Sequence, residues 1–269
     1  MTKPSHYDGD LWNEDLAPTN AETRTWVWKD YAALWVAMVV CVPTYLLSAG
    51  LVSEGMNWYQ AVITVLLGNI IVLVPMMLIG HAGAKYGLPF PVLLRSAFGT
   101  TGAKIPALAR GLVACGWFGI NTWVGGSAIY VILNSVSGDA FVGRALPFLG
   151  IDITQTLCFF AFWAMHLVFI KHGTESIRWL ETFAAPFLIL MGLALLGWAY
   201  VNAGGFGEML STPSQFVEGG AKEGQFWTAF FAGLTSMVGF WATMALNIPD
   251  FTRFAKSQKD QMLGQAIGL

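Results

Sequence analysis

Charge is what this sequence has least of. Lys, Arg, Asp and Glu make up 11% of its 269 residues, less than half of the roughly 25% usual in a soluble globular chain. A net charge of −2 leaves no basic excess, which excludes recognition of a nucleic acid as a polyanion. Cysteine is scarce as well. Cys41, Cys115 and Cys158 each sit in an apolar stretch without a CxxC partner, so neither a disulfide framework nor a zinc site is indicated. No HExxH, GxSxG, Walker or dinucleotide motif occurs, and without a nucleophile, ligand set or paired carboxylates a membrane enzyme has nothing to work with. The first 25 residues are polar and acidic and lack an apolar signal-peptide core, so the first membrane helix is expected to direct its own insertion.

Apolar residues are what the chain has in excess. The sequence is 55% hydrophobic and 14% aromatic, with a mean hydropathy of +0.58. Six apolar stretches can be drawn, at residues 31–52, 58–79, 107–133, 153–170, 183–201 and 227–248. Each is long enough for a helix to cross the hydrocarbon layer, which takes about 20 residues. Apart from Arg110 at the start of the third, none of these ranges contains Asp, Glu, Lys or Arg, whereas a buried helix of a soluble protein needs a polar face. The expectation is an all-α polytopic membrane protein with about six transmembrane helices. Twelve of the 14 basic residues fall in the N-terminal tail, the second-to-third and fourth-to-fifth connections and the C-terminal tail, leaving Arg144 and Lys222 on the other side. By the positive-inside rule both ends are expected to be cytoplasmic. The connection over residues 81–104 mixes Gly and Pro with apolar residues and no carboxylate, and reads as a loop carrying a short surface helix.

A few residues stand out within the spans. Pro43 interrupts the first, removing one backbone hydrogen bond at a cost of about 3 kcal/mol and freeing carbonyls near Ala37 to Val40 for a cation or polar ligand. The sixth holds Thr235, Ser236, Gly239 and Trp241 and then Asn247-Ile248-Pro249, a second irregularity. Two interrupted helices five spans apart are the pattern of transporters built from inverted repeats. In the third span, Gly111, Cys115 and Gly119 form a small-residue stripe suited to close helix contact. Trp117 and Asn121 lie one turn apart on roughly the opposite face, where a flat indole and an amide suit a planar ring or, equally, helix packing. Asn69 is expected to bond a neighbouring helix, and His166 to be a satisfied histidine. A pore-lining ring of charge, which a passive channel would use, is absent from the spans.

Six segments carry a resemblance that runs almost end to end: Asn13-Glu14-Asp15-Leu16-Ala17-Pro18, Val42-Pro43-Thr44-Tyr45, Lys85-Tyr86-Gly87-Leu88-Pro89-Phe90-Pro91-Val92, Cys115-Gly116-Trp117-Phe118-Gly119-Ile120, Glu175-Ser176-Ile177-Arg178-Trp179-Leu180-Glu181 and Asn247-Ile248-Pro249-Asp250-Phe251-Thr252-Arg253. In these the chain resembles the nucleobase:cation symporter-1 family, permeases for cytosine, purines, uracil, thiamine, allantoin and hydantoins. The resemblance implies a five-plus-five inverted-repeat (LeuT-like) fold of twelve helices, with the first and sixth unwound toward the substrate. It divides the chain into a tail (1–29), a first five-helix repeat (30–201), an extracytoplasmic loop (202–225), a sixth helix (226–250) and a tail leading to a seventh (251–269). On that reading the chain is the N-terminal half of a permease.

Residue by residue, the resemblance makes Trp117 the indole that stacks on the substrate. Trp241, with Phe240 before it, becomes the counterpart that closes a sandwich. Asn121 stands where most members have glutamine, and Cys41 where many have asparagine or glutamine. Both departures shorten or remove an amide, and a buried donor left without its acceptor costs about 1–3 kcal/mol. Ala37 and Val40 match positions whose backbone carbonyls help hold the coupling cation. The function implied is cation-coupled uptake of a small planar nitrogen heterocycle across the cytoplasmic (inner) membrane, with no cofactor. Sodium is expected ahead of the proton, because neutral carbonyls suit a hard cation and the six ranges hold no carboxylate. Two alternatives stand beside it: a fragment inactive by itself, and a permease for a non-nucleobase such as thiamine.

Overall fold

A computed structural model describes residues 12–269, apart from the side chains of residues 174, 175, 208 and 209; Lys3, Asp8 and Asp10 of the acidic tail lie outside the described residues. The described chain is almost entirely helical. In order come α1 (Trp28–Val39), α2 (Val42–Ser53), α3 (Trp58–Tyr86), α4 (Phe90–Leu93), α5 (Arg95–Gly102), α6 (Lys104–Ser137), α7 (Ile153–His172), α8 (Thr174–Asn202), α9 (Gly207–Ser211), α10 (Phe226–Ala245), α11 (Ile248–Thr252) and α12 (Gln258–Gly268). Five helices, α3, α6, α7, α8 and α10, are long and apolar enough to cross a membrane. The pair α1 and α2, bent by 57°, makes a sixth if it is one broken span.

Several helices outrun the apolar stretches, because capping rather than hydropathy ends a helix. Asn57 starts α3 by accepting from the Gln60 amide while the Gln60 side chain returns to the Asn57 amide, a reciprocal cap. The helix then runs to Gly87, which closes it at φ 70°, a conformation glycine adopts without cost. The connection over 81–104 is thus largely helical, as the end of α3 plus α4 and α5. The helix of the fifth span, α8, also begins before the charge-free stretch 183–201 and takes in Arg178 and Glu181. The sixth span is unbroken from Phe226 to Ala245. Its irregularity falls beyond that helix, at Leu246-Asn247, where Pro249 opens α11. Thr235 and Ser236 do not interrupt α10, since their hydroxyls donate to the Phe231 and Ala232 carbonyls one turn back.

The described chain forms two compact units, residues 12–107 with 181–269, and residues 108–180. In the first, α3 buries one stripe: Ala61, Thr64, Gly68, Val72, Met76, Gly80 and Gly83. Its other faces present Leu66, Ile70, Val74 and Leu78, all largely exposed. Apolar side chains facing outward suit lipid, where helix association rests on close packing rather than on hydrophobic burial. Trp35, Val72, Met76, Trp241, Ala245 and Ile248 form the centre of this unit.

The segment before α1 is not a free tail. Thr19 donates its amide to Gly87 O at 2.9 Å and its hydroxyl to Arg253 O at 2.6 Å. Arg24 Nη1 donates to Ala84 O at 3.2 Å, supplying a carbonyl that the end of α3 leaves open. Trp26 pairs through its backbone with Phe254 and Lys256. The stretch after Arg253 is likewise structured, with α12 packed on α1 and α3.

In the second unit, α6 and α7 meet at Gly125 and Gly126. A Cβ on Gly126 would come 2.7 Å from the Phe159 backbone. The stripe singled out from the sequence, Gly111, Cys115 and Gly119, is not where α6 and α7 touch: among the described residues a Cβ on either glycine would meet nothing within 4 Å, and Cys115 is exposed. Beyond the helix ends, Asp152 accepts from the Gln155 amide at 2.7 Å, the Gly143 amide at 3.1 Å and the Tyr130 hydroxyl. The Tyr130 hydroxyl and the Gln155 amide hold its carboxyl below the usual aspartate range.

Candidate functional site

The break between α1 and α2 is built by its own sequence. A continuing helix would send the Cys41 amide to Ala37 O. Instead the Cys41 amide turns to Val39 O at 2.9 Å, and Pro43 has no amide to offer onward. Val40 caps α1 at φ −80°, ψ 75°, outside the helical region. Cys41 is extended at φ −141°, ψ 158° and caps α2 without a side-chain bond to the helix backbone. Its Sγ lies 3.2 Å from Thr44 Oγ1. Carbonyls at such a break keep lone pairs that an intact helix would occupy, which is the chemistry a hard cation takes.

Trp241 belongs to the same unit and is only 4% exposed. Its ring meets Trp35 edge-on, with centroids 5.7 Å apart and planes at 75°. Phe240 stands perpendicular to it at 4.8 Å. The indole Nε1–H of Trp241 is buried and has no hydrogen-bond partner among the described residues. Trp241 is thus a core residue with an unspent donor, not an exposed platform.

In the second unit Trp117 is half-buried and Asn121 exposed. The turn they occupy is fixed from one side by Thr122, fully buried, whose hydroxyl donates to Phe118 O at 2.7 Å and lies 3.4 Å from His166 Nδ1. Phe162 packs edge-on against His166 at 4.5 Å. His166 is therefore a satisfied histidine, as expected. Asn69 bonds a neighbouring element, as expected, its Nδ2 donating to Leu269 O at 3.0 Å, while its Oδ1 is buried without a partner among the described residues.

Two residues were missed from the sequence. Trp35 gave no signal beyond being an aromatic in an apolar run, because its importance lies in what it touches. Glu181 was assigned to a loop; on α8 its Oε2 is buried without a hydrogen-bond partner among the described residues. Among the described residues no group of three or more His, Cys, Asp or Glu is arranged to hold a metal ion.

Comparison with known proteins places this arrangement. A family model described as "Permease for cytosine/purines, uracil, thiamine, allantoin" matches residues 18–269. The purine-uracil permease NCS1 of Arabidopsis thaliana is 48% identical over 98% of this chain and 43% of its own length. The allantoin permease of Bacillus subtilis is 42% identical over 96% of the chain and 52% of its own length. Among solved structures, Mhp1, a nucleobase-cation-symport-1 family transporter in a closed conformation with bromovinylhydantoin bound, superposes with a TM-score of 0.78 at 26% identity. That match covers 96% of this chain and 53% of Mhp1. The chain spans about half the length of the relatives it matches.

Proposed function

Because this chain belongs to the family of permeases for cytosine and purines, uracil, thiamine and allantoin, we propose that it serves in cation-coupled import of a planar nitrogen heterocycle of the purine, uracil or allantoin type. The named relatives handle purines, uracil and allantoin, and Mhp1 was solved with a substituted hydantoin, so a flat ring with alternating donors and acceptors is the common chemistry. Trp117 and Trp241 each offer an aromatic surface to such a ring, worth about 0.5–1.5 kcal/mol beyond area burial for a well-oriented stack. Asn121 offers an amide to the ring's hydrogen-bonding edge, and Cys41 offers none where an asparagine would. The membrane is the cytoplasmic one, with both described ends on the cytoplasmic side.

The observation that carries this reading is the break at Val40-Cys41. It puts carbonyls without helical partners on α1, in the unit whose core contains Trp241. Ala37 and Val40 offer those carbonyls to sodium. With Trp241 closed in by its neighbours, a ring reaches it only when the helices around it part, and that opening is the alternating step. A second reading concerns the ion alone. The unpaired Glu181 oxygen is a carboxylate able to carry a proton, and it favours proton coupling if uptake proves indifferent to sodium.

The test is uptake of labelled uracil, hypoxanthine, allantoin, cytosine and thiamine by cells expressing the complete reading frame, with and without sodium. Saturable uptake of one ring that collapses without sodium supports the proposal. Saturable uptake driven by pH and lost in Glu181→Gln replaces sodium with the proton. No saturable uptake of any ring by protein that reaches the membrane overturns it.

A further inference from the structure

We propose that Trp35 is a positioning residue that sets the plane of the Trp241 indole, so that ring affinity and ring selectivity depend on a side chain acting only through Trp241. The inference rests on the reading of Trp241 as a ring-binding residue. Trp35 is fully buried and Trp241 is 4% exposed, and their rings meet edge-on at 5.7 Å. An indole has a negative face and a positive edge, so a T-shaped contact fixes the relative tilt of the two rings in a way that aliphatic packing does not. Phe240 holds Trp241 from another side at 88°. Between them the two neighbours define the orientation of the indole while its Nε1–H stays without a partner among the described residues. A buried donor left unpaired is unfavourable, and an acceptor on a bound molecule removes that cost.

Trp35 is itself held rigidly. A Cβ on Gly268 of α12 would come 2.6 Å from Trp35 Cβ and 2.7 Å from Ala32 O. Trp35 is thus wedged between α12 and the ring it orients. It also sits two residues before Ala37, at the end of α1 that leads into the break. A change in α1 at the break is therefore carried to Trp241 by a rigid aromatic contact rather than by a flexible chain.

The experiment compares wild type, Trp35→Phe, Trp35→Ala and Gly268→Ala, each in the complete reading frame, for uptake of labelled uracil, hypoxanthine and allantoin. Surface protein is quantified for every variant. Losing one aromatic edge contact corresponds to roughly a 2- to 12-fold loss of affinity. Trp35→Ala should therefore raise KM by that factor and change the KM ratio between rings, with Vmax per surface protein held within about twofold. Trp35→Phe, which keeps an aromatic edge, should recover at least half of the loss. Gly268→Ala, which pushes on Trp35 without removing it, should shift KM in the same direction and decides the matter if Trp35→Ala does not reach the membrane. A fall in Vmax or surface level with KM and ring ratios unchanged in every variant that reaches the membrane marks Trp35 as ordinary core and overturns the proposal. If wild type itself takes up none of the three rings, the ring-binding reading fails instead.

Discussion

Gly83 on α3 offers a quantitative test of how the first unit is packed. A methyl group there would lie 2.7 Å from Pro249 Cα and 3.0 Å from Pro249 O, and would also meet the Thr252 hydroxyl. Carbon atoms are at optimal contact near 3.5–4.0 Å, so α11 must retreat by roughly 1 Å. That retreat also stretches the bond from Thr252 Oγ1 to Gly80 O, now 2.8 Å, past useful length. Overpacking costs about 1–3 kcal/mol, and the lost hydrogen bond adds about 1 kcal/mol. The better helix propensity of alanine returns about 1 kcal/mol. The net is a destabilisation of about 1–3 kcal/mol, or roughly 2–12 °C in thermal midpoint for a chain of this size. Fluorescence-detected size-exclusion after heating in detergent reads this directly. Gly50→Ala on α2 is the control, since nothing lies within 4 Å of its Cβ; it should leave the midpoint unchanged or raise it. A Gly83→Ala protein within about 1 °C of wild type, or an equal fall in the control, would refute the α3–α11 packing.

Other substitutions probe the remaining contacts. Tyr31→Phe removes the bond to Phe251 O and should cost about 1 kcal/mol, measured by the same thermal assay. Cys41→Asn gives α2 a side-chain N-cap it lacks and should stabilise by about 0.5–1 kcal/mol while changing which ring is preferred in competition uptake; a lower midpoint would contradict the cap geometry. Asp152 is held below the usual aspartate range, chiefly by the Tyr130 hydroxyl. A depressed carboxylate contributes stability that is present above its unfolded value, about pH 4, and is lost as pH falls through the folded value. The wild-type midpoint should therefore be flat from pH 7 to 5 and drop below about pH 4, a drop that Asp152→Ala should blunt.

The spans were legible in the sequence because lipid demands apolar runs: four of the six runs lie within single helices, the first is the bent pair α1 and α2, and the sixth outruns α10 by a few residues. Pro43 made the α1–α2 break legible too, since a residue without an amide cannot be argued around. Helix ends were not, because Gly87 and the Asn57–Gln60 cap act where hydropathy has already fallen away; Arg178 and Glu181, outside the apolar run, fall within α8. Small-residue spacing singled out Gly111, Cys115 and Gly119 when the contact is at Gly125 and Gly126. Spacing says which residues permit close approach, and only the partner, here Phe159, decides which are used. Trp117 stood out by its spacing from Asn121, and its stacking role, like the roles of Trp241 and Cys41, came through family resemblance, whereas Trp35 is visible only from its contact with Trp241.

The most direct test of the central claim is saturable uptake by wild type and by Trp117→Ala, each in the complete reading frame and normalised to surface protein. If the Trp117 indole stacks on the substrate, the ring taken up by wild type enters the variant at no more than the non-saturable background, with the variant protein present in the membrane at normal level. Wild-type KM and Vmax in Trp117→Ala would contradict it.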